Sequence, residues 1–163
     1  MPRMIAVLFA LLIAVPAVLA DETTSEEPWQ TENDDAVIPM RDGAELAAKI
    51  VLPEKRGKYP CILVQTPYNK SRMGAEVGSS VSEVARGSSK AWGQFDREHY
   101  AYVFVDWRGF YGSKSAMDGV NKLKWRRGQD GYDCVEWCAT QPWCDGKVGT
   151  WGGSALGKQQ FDT

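Results

Sequence analysis

Histidine is nearly absent from this chain: His99 is the only one in 163 residues. There is no CxxC pair either, so Cys61, Cys134, Cys138 and Cys144 lack the spacing of a zinc site. Cys134 and Cys138 instead share a helix face with Gly131 and Val135, where buried thiols usually sit. The expectation is four buried thiols, with or without a Cys138–Cys144 bridge. Basic residues are not in excess: 19 Lys and Arg stand against 21 Asp and Glu, a net charge of −2. Nucleic-acid binding needs a basic face, so that partner class is set aside. No internal repeat is visible, and the length suits a single domain with a real core.

Long hydrophobic runs are also missing, with one exception at the start. "MPRMIAVLFALLIAVPAVLA" carries Arg3 as its only charge, an apolar run from Met4 to Val15, and small residues up to Ala20. The run is short for a membrane span, and the small-residue exit reads as a signal peptide cleaved after Ala20. The expectation is a secreted or periplasmic protein with no membrane attachment after cleavage. Residues 21–35, "DETTSEEPWQTENDD", are acidic, polar and aperiodic, and read as a flexible leader. The folded part is expected over residues 36–163.

Within that part, "DAVIPMRDGAELAAKIVLP" reads as two strands joined at Arg41-Asp42-Gly43, since Asp-Gly is a strong hairpin signal. "YPCILVQTP" and "YAYVFVD" have the nearly continuous apolar runs of buried strands. Ser80 to Asp96 is a weak helix, "RGFYGSKSAMDG" a loop, and Asp130 opens an amphipathic helix to about Thr140. "KVGTWG" is a third short strand, also expected to be buried. Strands alternating with helices predict an α/β fold with a mostly parallel sheet and an antiparallel edge from the hairpin. Sites in such sheets form at the carboxyl ends of the strands. "TPYNK", "DWRGFYG" and "GGSALG" all fall there.

The last of these admits two chemistries. Gly152 to Lys158 fits the phosphate-loop spacing GxxxxGK after a strand, but Gln159 stands where a Ser or Thr would hold magnesium. Alternatively Ser154 is a nucleophile on a sharp strand-to-helix turn, with Gly152 two before it and Gly157 three after it. Taken alone, that glycine spacing leaves a structural Gly-Ser turn equally open.

The wider context separates them. "DGYDCVEWCATQPWCDGKVGTWGGSALG" resembles the pattern DxxDxxxWxxxQxWCxGxVGxxGxSYxG of the Xaa-Pro dipeptidyl-peptidase and cocaine-esterase group of α/β-hydrolases, whose glycine also falls three after the serine. Upstream, "MRDGAELAAKIVLP" resembles the opening hairpin of that group. "PCILVQTPYNK" is similar to its RTPYxK strand end, and "VFVDWRGFYGSKSA" to its DxRGxxxSxG loop. The resemblance covers about Val37 to Gly157, in order. It implies an α/β-hydrolase fold and a serine hydrolase of dipeptidyl-peptidase or acyl-esterase type, acting on small ester or peptide substrates without a cofactor. It makes Ser154 the acylated nucleophile, with the Ala155 N–H and the Tyr68 hydroxyl as oxyanion donors. Asp106 and Arg108 read as a structural pair shaping the site loop. Trp92, Trp107, Trp137, Trp143 and Trp151 read as packing.

Two departures stand out. The group usually has Tyr where this chain has Ala155, so a side chain is lost while the N–H is kept. The sequence also stops at Thr163, whereas the resemblance puts the acid and histidine far downstream of the serine. His99 precedes Ser154 and reads as a surface or structural residue. A serine without a base is a poor nucleophile, so this chain is expected to be an inactive N-terminal portion. The competing expectation is a non-catalytic remnant or partner-binding fragment.

Overall fold

The computed structural model describes residues 34–73, 96–121 and 127–163. The expected signal peptide, nearly all of the leader, and the weak helix with Trp92 lie outside them. Five strands form one mixed sheet: β1 (Asp34–Pro39), β2 (Glu45–Val51), β3 (Tyr59–Thr66), β4 (Ala101–Asp106) and β5 (Cys144–Thr150). Their order is β1-β2-β4-β3-β5. β1 pairs antiparallel with β2, and β2 antiparallel with β4. β3 runs parallel to both β4 and β5. The strand order thus joins an antiparallel N-terminal part to a parallel part, as the sequence predicts. β1 starts at Asp34, two residues earlier than the leader boundary suggests.

The hairpin turns where Asp-Gly predicts. Gly43 has φ +83° and donates its N–H to the Met40 carbonyl at 2.9 Å, while the Asp42 carboxylate accepts from the Ala44 N–H at 3.1 Å. β3 and β4, each flanked on both sides, carry the core. Alternating residues point to opposite faces of a strand. Cys61 and Leu63 therefore join Ala101, Val103 and Val105 in one cluster, which also takes in Cys134 and Cys138. Val64, Tyr102 and Phe104 form the other with Val51, Met73 and Leu156.

Among the described residues, α1 (Arg127–Thr140) lies between β4 and β5, and α2 (Ala155–Asp162) follows β5. α1 buries Gly131, Cys134 and Cys138, the face expected from the sequence, together with Asp130. Its approach to the end of α2 depends on glycines. A Cβ on Gly128 would lie 2.1 Å from the Asp162 carbonyl oxygen, and one on Gly131 would lie 2.2 Å from Thr163 Oγ1.

Three expectations need correction. β5 is not buried like its neighbours: Asp145, Gly146 and Lys147 are exposed, because among the described strands β5 has β3 as its only partner. The segment after β4 is not plain loop but holds a 3-10 helix, Tyr111–Met117. α1 begins three residues before Asp130. The four cysteines are buried, as expected, and are free thiols. The neighbouring Cys61 thiol and burial together push the Cys138 thiol pKa up.

Candidate active site

Because β3, β4 and β5 are parallel, their carboxyl ends lie along one edge of the sheet. The chain after β3 is tightly held. The buried Thr66 Oγ1 accepts the Tyr68 N–H at 2.9 Å, and the Thr66 carbonyl accepts the Trp107 N–H at 2.9 Å. Asn69 takes φ +77° and its side chain accepts the Ser71 N–H at 3.0 Å. Lys70 donates its N–H to Asp106 at 2.7 Å and pairs its ammonium with Asp35. That anchorage leaves Tyr68 47 % exposed.

At the end of β4, Asp106 and Arg108 are both structural, but they bond to different partners. The Asp106 carboxylate accepts backbone N–H groups from Lys70 and, at 3.0 Å, from Gly112. Its own carbonyl accepts from Ser113 Oγ at 2.9 Å, and Ser113 Oγ accepts the Ala47 N–H at 2.9 Å. These bonds wind the following residues into the 3-10 helix. Arg108 reaches the other way. Its Nε and Nη2 grip Asp130 at 2.9 and 2.7 Å, Nη1 donates to the Ala116 carbonyl at 2.9 Å, and Nη2 reaches Asp42 at 3.1 Å. The bond to Asp130 holds the Arg108 pKa above its ordinary value against the opposing effect of burial. For Asp42, burial pushes the pKa up, but bonds from Arg108 and the Ala44 N–H outweigh it and the net shift is downward. Asp130 and Asp42 are contributors that the sequence reading missed as partners of Arg108. They lie 22 and 66 residues away, and nothing local marks them.

The third strand end carries Ser154. After Thr150 the Trp151 N–H bonds to the Leu63 carbonyl of β3 at 3.2 Å. Gly152 follows at φ +138°, and Ser154 has φ +56° and ψ −122°. An L-residue rarely adopts that backbone conformation, and it costs on the order of 1–3 kcal/mol unless its surroundings impose it. α2 starts at the next residue. A Cβ on Gly152 would sit 2.3 Å from Leu156 Cβ, and one on Gly157 would sit 3.2 Å from the Gly152 carbonyl. Small residues are thus required where strand and helix fold back on each other. The Ser154 side chain makes no capping bond and the residue is exposed. Ala155 is the first residue of α2, a position whose N–H has no intrahelical acceptor.

Tyr68, two residues past β3, and Ser154, four past β5, therefore lie beyond the same ends of neighbouring strands. His99 does not join them. It precedes β4, at the opposite end of a strand about 20 Å long. There its Nδ1 contacts Asp96 at 2.9 Å with the side chain 73 % exposed. The phosphate-loop alternative also loses its geometry, because Gly157 and Lys158 are already inside α2 and form no loop. Among the described residues no group of three or more His, Cys, Asp or Glu is placed to hold a metal ion. The tryptophans within the described residues pack: Trp137 meets Trp143 edge to face, Trp107 meets Phe110 likewise, and Trp151 lies against the second cluster.

Comparison with known proteins identifies the family and the fold. Residues 42–161 match the family described as X-Pro dipeptidyl-peptidase (S15 family). Over 126 residues the chain is 34 % identical to cocaine esterase from Rhodococcus sp. (strain MB1 Bresler), covering 77 % of this chain and 20 % of that protein. A crystal structure of a CocE/NonD family hydrolase from Staphylococcus aureus shares 31 % identity at a TM-score of 0.57, over 78 % of this chain and 24 % of that one. An aminopeptidase from a marine sediment Thaumarchaeota archaeon has the same fold at 24 % identity and a TM-score of 0.60, over 88 % of this chain and 26 % of that one. The sheet and its flanking helices are thus part of an α/β-hydrolase fold. The chain spans about a fifth of the curated relative's length.

Proposed function

Since the chain belongs to the X-Pro dipeptidyl-peptidase (S15) family of serine hydrolases, we propose that Ser154 is the residue acylated by an ester or peptide substrate. The observation that carries this reading is the backbone of Ser154 itself. A non-glycine residue at φ +56° between a strand and a helix holds its hydroxyl out at the strand ends.

In the proposed reaction Ser154 Oγ attacks the substrate carbonyl while a general base takes its proton. The carbonyl oxygen becomes an oxyanion, stabilised by the Ala155 N–H at the start of α2 and by the Tyr68 hydroxyl. A phenol suits this task because it donates a hydrogen bond without carrying charge. The leaving alcohol or amine departs with the proton, and water then releases the acyl group. No cofactor enters. The base must face Ser154, and His99 lies at the far end of β4. In proteins of this fold the acid and then the histidine follow the serine, so the base is assigned to polypeptide beyond these 163 residues.

Labelling with a fluorophosphonate tests this reading. Three forms are compared: the 163-residue chain, its Ser154→Ala variant, and a version extended by a complete downstream domain. Strong Ser154-dependent labelling of the extended form, with marginal labelling of the short one, is the expected result. Equal labelling of Ser154→Ala would refute the nucleophile assignment. Strong labelling of the short chain would show that it supplies its own base. No labelling of either form would favour a non-catalytic role.

A further inference from the structure

The conformation at Ser154 needs something to hold it, and the far turn of α2 reaches back to the residues before it. Gln160 Nε2 donates to the Gly152 carbonyl at 2.7 Å, with a longer approach to the Leu156 carbonyl at 3.5 Å. Gln160 Oε1 accepts from Thr150 Oγ1 at 2.9 Å. The orientation of this amide is determined: a carbonyl can only accept, so the NH2 group must face Gly152, and the Thr150 hydroxyl then donates to the oxygen. One side chain thus ties the last residue of β5 and the peptide two before Ser154 to the helix that follows it. Leu156 secures the same peptide sterically, lying where a side chain on Gly152 would be.

We propose that Gln160 is a positioning residue for Ser154. It fixes the Gly152 peptide and so imposes the serine's backbone conformation from behind. The proposal rests on the reading of Ser154 as a nucleophile for its catalytic consequence, but not for the clamp itself. Gln160 touches no reacting atom and acts only through Gly152 and Thr150.

Variants separate the two halves of the clamp. Gln160→Met keeps the length and loses both bonds. Gln160→Glu keeps the acceptor for Thr150 but faces the Gly152 carbonyl with a carboxylate, and Thr150→Val removes the hydroxyl alone. Amide exchange on the 163-residue chain is expected to show protection at Leu156 and Lys158, whose N–H groups bond the Gly153 and Ser154 carbonyls, falling about tenfold in Gln160→Met and Gln160→Glu. Amides of β4 and α1 should keep theirs. Adding Thr150→Val to Gln160→Met should change nothing more. In Gln160→Glu, protection should return below about pH 4, where the protonated acid again donates to Gly152. In the extended chain, the maximal rate of fluorophosphonate inactivation should fall about tenfold in Gln160→Met, with the half-saturating concentration unchanged.

Unchanged exchange at Leu156 and Lys158 would overturn the clamp, as would loss of protection throughout the fold, and an inactivation rate equal to that of the parent would overturn the positioning role. Local loss of protection in a chain whose Ser154 never labels would leave the clamp standing and refute the nucleophile.

Discussion

Replacing Gly152 by alanine, with Gly153→Ala as its neighbour control, is the sharpest perturbation of the serine turn. At Gly152 the added Cβ meets Leu156 Cβ at 2.3 Å and Cδ2 at 2.8 Å, and the backbone sits at φ +138°. At Gly153 nothing lies within 4 Å. Two effects add at the first position. An L-residue held in that backbone region costs about 1–3 kcal/mol, and forcing a methyl into packed neighbours costs a further ~1–3 kcal/mol. Leu156 cannot simply move aside, because it is buried against Val64, Phe104 and Met73. The expected loss for Gly152→Ala is therefore about 2–6 kcal/mol. For Gly153→Ala the change should stay within about 0.5 kcal/mol.

Thermal unfolding followed by circular dichroism reads the difference. Each kcal/mol lowers the Tm of a domain of this size by roughly 4 °C. Gly152→Ala should therefore melt roughly 8–24 °C below its parent, and Gly153→Ala within about 2 °C of it. If both variants melt together, the turn is not fixed by the contact between Gly152 and Leu156. The steric account of the Ser154 conformation would then be wrong.

Two further predictions concern the loops beside the site. Arg108→Met or Asp130→Leu alone strands a buried charge and should lower the unfolding free energy in urea by about 3–5 kcal/mol, whereas the double variant should lose less than either single one. The second concerns acid. For Asp133, burial pushes the pKa up, but the bonds from Arg41, the shortest at 2.6 Å, outweigh it and hold the carboxyl below its ordinary 3.8. A depressed folded pKa stabilises the fold above the unfolded value, and that contribution is lost as pH falls through the folded one. Urea midpoints should accordingly drop below about pH 4, with a shallower slope in Asp133→Asn; identical slopes would refute the assignment.

What the sequence made legible was whatever a short window determines. Nearly continuous apolar runs located β3 and β4, Asp42-Gly43 located the hairpin turn, and the glycines around Ser154 marked the place where strand and helix must fold back closely. The misreadings share one cause: the deciding partner lies far along the chain. The segment after β4 looked like loop because its winding depends on the Asp106 carboxylate reaching Gly112 and on Ser113 Oγ taking the Ala47 N–H, 66 residues away. β5 has the composition of a strand, but its exposure follows from its single described neighbour, which only the strand order reveals. Asp106 and Arg108, two residues apart, were read as one pair, although their side chains serve opposite sides of the loop.

Asp130 is the most instructive of these. A carboxylate before an amphipathic stretch reads as the start of a helix, since capping the first turn is worth about 1 kcal/mol. Arg108 offers two parallel donors in a buried setting, where stranding either charge costs about 3–5 kcal/mol. The larger energy decides the outcome. The Asp130 carboxylate goes to Arg108, α1 begins a turn earlier at Arg127, and a residue that looked like local punctuation fastens α1 to the loop beside the serine turn.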